Sequence, residues 1–253
     1  MPKLLEINNF INSLLESDTY IDNSKNGLQV DCGQKDIKKI ALSVDSGLSI
    51  IKQAIYEKAD ILICHHGLFW GEEQTITGSL GDKVRLLIEN KCSLIAQHLP
   101  LDGNLEVGNN IELARLFELD TIERFCPHYD QFIGVRGIYK NPKRIDYFIE
   151  KGKNLIGFKN FLSLPFGKME INKIAIVSGS GSSAIPYIDS NEIDLFISGE
   201  PKQSNYHHFK ELQTNALFLG HYATETVGVR ALGEKLKQKF GVESVFINEP
   251  TGI

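Results

Sequence analysis

Apolar side chains at Leu4, Ile7, Ile11 and Leu14 return every three or four residues between polar ones, which predicts an amphipathic helix at the start of the chain. Beyond it, short β-branched runs alternate with helical periodicity. Strands are expected at 39–44, 60–64 and 93–97, and helices at 48–58, 80–90 and 109–119. Strand–helix–strand order at these lengths requires parallel pairing through right-handed crossovers, and so an α/β fold with mainly parallel sheets. No Pro-, Gly- or Ser-rich linker is present. The periodicity breaks at 121–130, around Cys126-Pro127, which separates a first α/β lobe at 1–124 from a second at 125–253.

The pattern repeats. Residues 40–51 (IALSVDSGLSII) align without gaps on 174–185 (IAIVSGSGSSAI), with six of the twelve positions identical. A matching strand follows in each half, 60–64 and 194–198, and then a third, 93–97 and 216–220. Each third strand ends in His, three residues and an acid: His98 to Asp102, and His221 to Glu225. Self-similarity at a fixed spacing predicts an internal duplication, two similar lobes each built from half the chain. The plainer alternative is that any two buried parallel strands look alike, since both are apolar runs.

Composition narrows the class. Apolar residues at 42% and charged ones at 23% are an ordinary globular mixture, which excludes disorder and coiled coil. With 27 basic against 32 acidic side chains, a net charge of −5 leaves no basic footprint for a nucleic acid. The longest apolar runs, 61–64 and 216–219, fall far short of the roughly 18 residues that cross a membrane. The first residues form an amphipathic pattern without the apolar core of a signal peptide, so a cytoplasmic protein is expected. Cys32, Cys64, Cys92 and Cys126 show no C-x-x-C spacing and read as reduced thiols.

In open parallel sheets ligands collect at the carboxyl ends of strands. Those ends hold His65-His66, His98 with Asp102, and His221 with Glu225, which takes four of the chain's seven histidines. Neutral imidazoles and carboxylates bind borderline transition metals, and a two-metal site typically needs a bridging acid. Adjacent His65 and His66 diverge past a strand and suit neighbouring ions, while Glu225 has the reach to bridge. A lone histidine at a strand end is more often a polar cap, and only the clustering outweighs that reading. Cys64 points away from His65 by strand alternation and reads as a buried thiol. His207 and His208 fall on a helical stretch at 202–213 and read as a solvated face, with a substrate contact as the alternative, and His128 reads as structural. A G-x-G-x-x-A match at Gly179, Gly181 and Ala184 follows a strand, with Glu200 placed as an acidic ribose partner. It reads as a phosphate-binding turn, a dinucleotide site or a plain tight turn.

Taken together, Asn26-Gly-Leu-Gln-Val30, Cys64-His-His-Gly-Leu-Phe-Trp70, His98-Leu-Pro-Leu-Asp102, Ser198-Gly-Glu200 and Gly220-His-Tyr-Ala-Thr-Glu225 resemble the NIF-three-like family, whose bacterial members are called GTP cyclohydrolase type 2 homologues. The resemblance runs over nearly the whole chain. It implies two divalent ions (zinc, iron, manganese or nickel) between the two lobes. His65 and His221 would hold one ion, His66 and Asp102 the other, and Glu225 would bridge both. It also implies a toroidal homohexamer. The chain departs from the family pattern at Gly67, where a proline is common, and at Leu99, where a threonine is. The stretch 201–206 also differs from a more usual basic, histidine-containing run.

The expected function is a dinuclear metal-dependent hydrolase of a nucleotide-like or heterocyclic small molecule, by resemblance opening the guanine imidazole ring of GTP with release of formate. His98 is the candidate for proton transfer, or else an alternative ligand. A non-catalytic metal-binding assembly, acting as metallochaperone or regulatory scaffold, is the competing expectation. A dinucleotide-dependent oxidoreductase ranks behind both.

Overall fold

Continuous apolar runs become the centres of two sheets. The computed structural model describes residues 1–33, 36–156 and 161–252, with backbone only over 154–156. In chain order the first elements are α1 (Leu4–Leu15), β1 (Gly27–Val30), β2 (Lys39–Ser43), α2 (Leu48–Tyr56) and β3 (Ile61–Cys64). Then come α3 (Gly78–Glu89), β4 (Ser93–Ala96), α4 (Leu99–Gly103), α5 (Asn109–Leu116), β5 (Thr121–His128) and β6 (Gln131–Arg144). The remainder is α6 (Ile145–Ile156), β7 (Leu162–Leu164), β8 (Glu170–Val177), β9 (Leu195–Ser198), α7 (Asn205–Leu212), β10 (Asn215–Phe218), α8 (His221–Phe240) and β11 (Glu243–Phe246). Two units form: Met1–Leu101 with Gly228–Glu249, and Asp102–Val227 with Pro250–Ile253.

The first unit is built on a five-stranded sheet in the order β1-β4-β3-β2-β11. β2, β3, β4 and β11 run parallel, and β1 lies antiparallel against β4. Every residue of β3 and β4 is buried, which is why these strands read as unbroken apolar runs. Helix α1 turns Leu4, Ile7, Ile11 and Leu15 inward, with Leu15 taking the place expected of Leu14. At roughly 1.5–3 kcal/mol for each large apolar side chain fully buried, that stripe holds the helix. Ile51, Leu62, Leu87 and Leu94 lie in the core between sheet and helices. The register sets Ser43 beside Cys64 and Cys64 beside Ala96, so the three strands finish level. The residues that follow them emerge side by side.

The second unit has a six-stranded sheet, β5-β6-β8-β9-β10-β7. Its centre, β8-β9-β10, is parallel and also finishes level, with Val177 beside Ser198 and Ser198 beside Phe218. Phe117, Phe148, Ile174, Ile197 and Leu217 are in its core. One topology recurs in the two sheets: Ile40 pairs with Ile61 as Ile174 pairs with Leu195, and an antiparallel edge strand covers the third strand of each. The stretch 121–130 holds the edge strand β5, antiparallel to β6, and the turn after it, with Cys126 in the left-handed region at φ 58° where the periodicity breaks. Past Val177 the chain enters a 3-10 stretch, Gly181–Tyr187, that contains Pro186 and never becomes an α-helix. Among the described residues no helix is long and apolar enough to cross a membrane.

Candidate metal centre

At the level ends of β2, β3 and β4, three imidazoles gather. His65 is fully buried; its ring stands 4.6 Å from that of His66 and 5.1 Å from that of His98, centroid to centroid. Each of the three offers a ring nitrogen within 4.8 Å of the others. All three anchor the same atom. His65 Nδ1 meets the Gln97 carbonyl oxygen at 2.9 Å, His66 Nδ1 meets Asp45 Oδ1 at 2.9 Å, and His98 Nδ1 meets the Asp22 carboxylate at 3.0 and 3.1 Å. Carbonyl and carboxylate oxygens only accept, so Nδ1 carries a proton and Nε2 is the nitrogen left to meet a metal, the arrangement that orients histidine for one.

Asp22 is fixed in turn. Burial pushes its pKa up, but His98, Asn26 and the Ser24 N–H outweigh that and hold it well below the usual carboxylate range. It also accepts the Leu99 N–H at 3.0 Å. Trp70 stands edge-on to His98 at 4.9 Å and donates Nε1–H to the Gly67 carbonyl at 2.8 Å. Gly67 is a close-approach glycine rather than a loose turn. A Cβ there would overlap the Gln29 amide and lie 2.5 Å from Ala96 Cβ, while Gln29 Oε1 accepts the Leu68 N–H at 2.7 Å. Cys64 is buried, and its pKa is driven far above the ordinary thiol value by that burial.

The second unit gathers its own donors. His221 and Glu225 open α8, and helical i,i+4 spacing sets them on one face, His221 Nε2 to Glu225 Oε1 at 3.1 Å. Glu200, just past β9, holds His221 Nδ1 at 3.2 Å. Gly179 and Gly199 make room for this packing. A Cβ on Gly179 would collide with Glu225 Oε1, and one on Gly199 would lie 2.6 Å from the Gly179 oxygen and 2.8 Å from His221 Cα. Asp102, also buried, accepts Asn109 Nδ2–H at 2.8 Å and the Ser178 hydroxyl at 2.9 Å, both on Oδ1, which fixes the carboxylate's rotation. Asn110 ties the same corner, accepting Ser178 N–H at 2.7 Å and donating to the Ile133 carbonyl at 2.5 Å.

The glycine turn is occupied internally. Gly179 N–H donates to Thr224 Oγ1 at 3.0 Å, Gly181 N–H donates to Ser198 Oγ at 3.0 Å, and Glu200 faces His221. Both glycine N–H groups are thus engaged within the chain, as a tight turn requires. His207 and His208 lie on α7 with ring contacts to Tyr206 and Phe209, and His128 packs edge-on against Tyr129. Sequence reasoning missed Asp22, Asp45, Asn109, Asn110 and Ser178. Only Asp45 and Ser178, inside the two repeated segments, stood beside a signal.

In metal-free protein His221 is an imidazolium. Burial lowers its pKa, but Glu225 and Glu200 outweigh this and raise it to about 9 from 6.5. The folded chain therefore keeps a proton that the unfolded chain gives up near pH 6.5. The stabilisation is complete below that pH and is lost as pH rises through about 9. Thermal melts of chelator-treated wild type and His221→Gln are expected to converge above pH 9. A gap that ignores pH would rule out the pairing.

The donor chemistry, imidazoles with Nδ1 anchored and buried carboxylates, fits a divalent transition metal. Fold and donors together define an α/β protein of two sheet-centred units with His/Asp/Glu groups that could hold such an ion. The chain belongs to the Duf34/NIF3 (NGG1p interacting factor 3) family, whose model matches residues 2–252. It is 39% identical over 248 residues to a Pyrococcus horikoshii protein named GTP cyclohydrolase 1 type 2 homolog, covering 98% of each chain. An Archaeoglobus fulgidus protein of the same name is 37% identical over 251 residues, 99% of each. A crystal structure from Thermus thermophilus matches with a TM-score of 0.91 and 35% identity over the full length of both chains.

Proposed function

We propose that this protein is a dinuclear metal-dependent hydrolase of a cyclic carbon–nitrogen bond in a nucleotide-like or heterocyclic substrate, with GTP the first candidate. His65 and His221 would hold one divalent ion and His66 and Asp102 the other, with Glu225 available to both. The working form is a cytoplasmic homohexamer. The observation that carries this reading is the common anchoring of His65, His66 and His98 through Nδ1. The names of the relatives support the substrate class.

Bound at this centre, divalent ions supply Lewis acidity and a hydroxide nucleophile at neutral pH. The chain does the rest. His98, held at Nδ1 by Asp22, presents Nε2 to move a proton to or from the substrate nitrogen. Trp70 walls that ring from one side and limits water there. Asn109 and Ser178 keep the Asp102 carboxylate turned for binding.

Elemental analysis of purified protein, paired with assays for formate and fluorescent products from GTP, tests the reading. About two ions per chain with product formation is the expected result. Two ions with no product would leave a non-catalytic metal-binding assembly. His98→Gln is expected to keep both ions while turnover falls about 10²- to 10⁴-fold. Loss of an ion on that change would make His98 a ligand instead.

A further inference from the structure

The turn that echoes the glycine motif, not the motif itself, has the features of an anion site. β2 leads through Asp45-Ser46-Gly47 into α2, and a cavity of about 420 Å³ opens there, its wall including Ser46, Gly47, His66, Gln74, Ser79 and Lys83. Two helices begin on it. α2 starts behind Gly47 and α3 behind Thr77, and neither has a side-chain cap or an acid in its first turn. α1, α5 and α6 each carry an acid there. The first-turn N–H groups of α2 and α3 thus keep their partial positive charge.

Two side chains point independently to a ligand. Ser46 is only 7% exposed and lines the cavity, and among the described residues its hydroxyl has no hydrogen-bond partner. Lys83 is half-buried on the same wall, and among the described residues no carboxylate pairs with it. A hydroxyl that reaches the cavity unpaired and an ammonium without a counter-ion are the donors a bound anion would engage. Asp45, the carboxylate on this wall, accepts the His66 Nδ1–H at 2.9 Å through Oδ1.

We propose that this cavity binds the phosphate chain of a nucleotide substrate, with Ser46 and Lys83 as donors, beside the histidine that faces the metal centre. The proposal rests on the hydrolase reading for the nucleotide and adds where its phosphates lie. Ammonium and helix N-termini together are a common answer to phosphate charge.

Calorimetric titration of the full chain, as purified and after chelator treatment, tests it with inorganic phosphate, GTP and guanosine as probes. GTP is expected to bind more tightly than guanosine and to compete with inorganic phosphate. Lys83→Gln is expected to cut the GTP advantage about tenfold or more, and Ser46→Val to cut it less. Inorganic phosphate binding is expected to survive removal of the ions. A GTP advantage unchanged in both variants, each shown folded by circular dichroism, overturns the proposal. So does phosphate binding that vanishes with the ions, or phosphate binding that GTP fails to displace. Failure of the wild type to load metal or turn over GTP defeats the hydrolase reading instead, and leaves these phosphate affinities readable.

Discussion

Glu225→Ala protein is expected to purify with no more than one ion per chain, a loss readable by elemental analysis after desalting. Glu225 is only 3% exposed and sits one turn into α8, with Oε1 directed at His221 Nε2. In the proposed centre it is the donor common to both ions, so its removal weakens each. Outer groups that merely orient ligands already change metal affinity by about 10- to 100-fold, and a shared ligand is expected to exceed that. A second readout is independent of metal. Without its nearer carboxylate, His221 titrates closer to the ordinary imidazole value, and histidine NMR on chelator-treated protein follows it. A full complement of both ions in Glu225→Ala would end the dinuclear assignment.

Gly199→Ala is expected to cost at least about 3 kcal/mol, or some 6–12 °C in melting temperature. The obstacles to its Cβ are backbone atoms, the Gly179 oxygen and His221 Cα, and neither swings aside. Three strand exits have to part before the methyl fits. Gly179→Ala is expected to behave differently. Its φ of +57° adds about 1–2 kcal/mol of strain, while the collision is with the tip of Glu225 and the His221 ring. That side chain yields, so the fold survives and metal binding suffers. Melting curves set beside metal content separate the two variants. Equal stability losses with equal metal retention would show that these glycines do not shape the centre.

The strands that carry the centre were legible because they are buried on both faces: Ile61–Cys64 is apolar throughout and Leu195–Ser198 is apolar up to its last residue. β6 was not legible. Gly134, Gly137, Pro142 and several charged residues lie within it, and its pairing with β5 and β8 supplies the order that its own sequence lacks. Gly137 is there because a Cβ would strike the Thr121 carbonyl, a reason visible only once β5 lies alongside. The candidate ligands stood out as histidines clustered at strand exits. Their supports did not, since Asp22 reaches His98 and Ser178 reaches Asp102 across long stretches of chain that no local pattern reports. The G-x-G-x-x-A match was ambiguous for a related reason: a motif specifies glycines, and only the fold shows their N–H groups bonded to Thr224 and Ser198.

The edge strand β11 gives the first unit a particular order of assembly. Glu243–Phe246 pairs in parallel with Lys39–Leu42, so one flank of β2 waits for residues made much later in translation. At about 5–20 residues per second that wait lasts on the order of ten seconds or more. Until then a row of backbone amides and carbonyls stays open to any passing extended segment. The second unit, continuous from Asp102 to Val227 apart from a short tail, faces no comparable delay. A nascent chain stalled before Glu243 is therefore the form of this protein most in need of a chaperone.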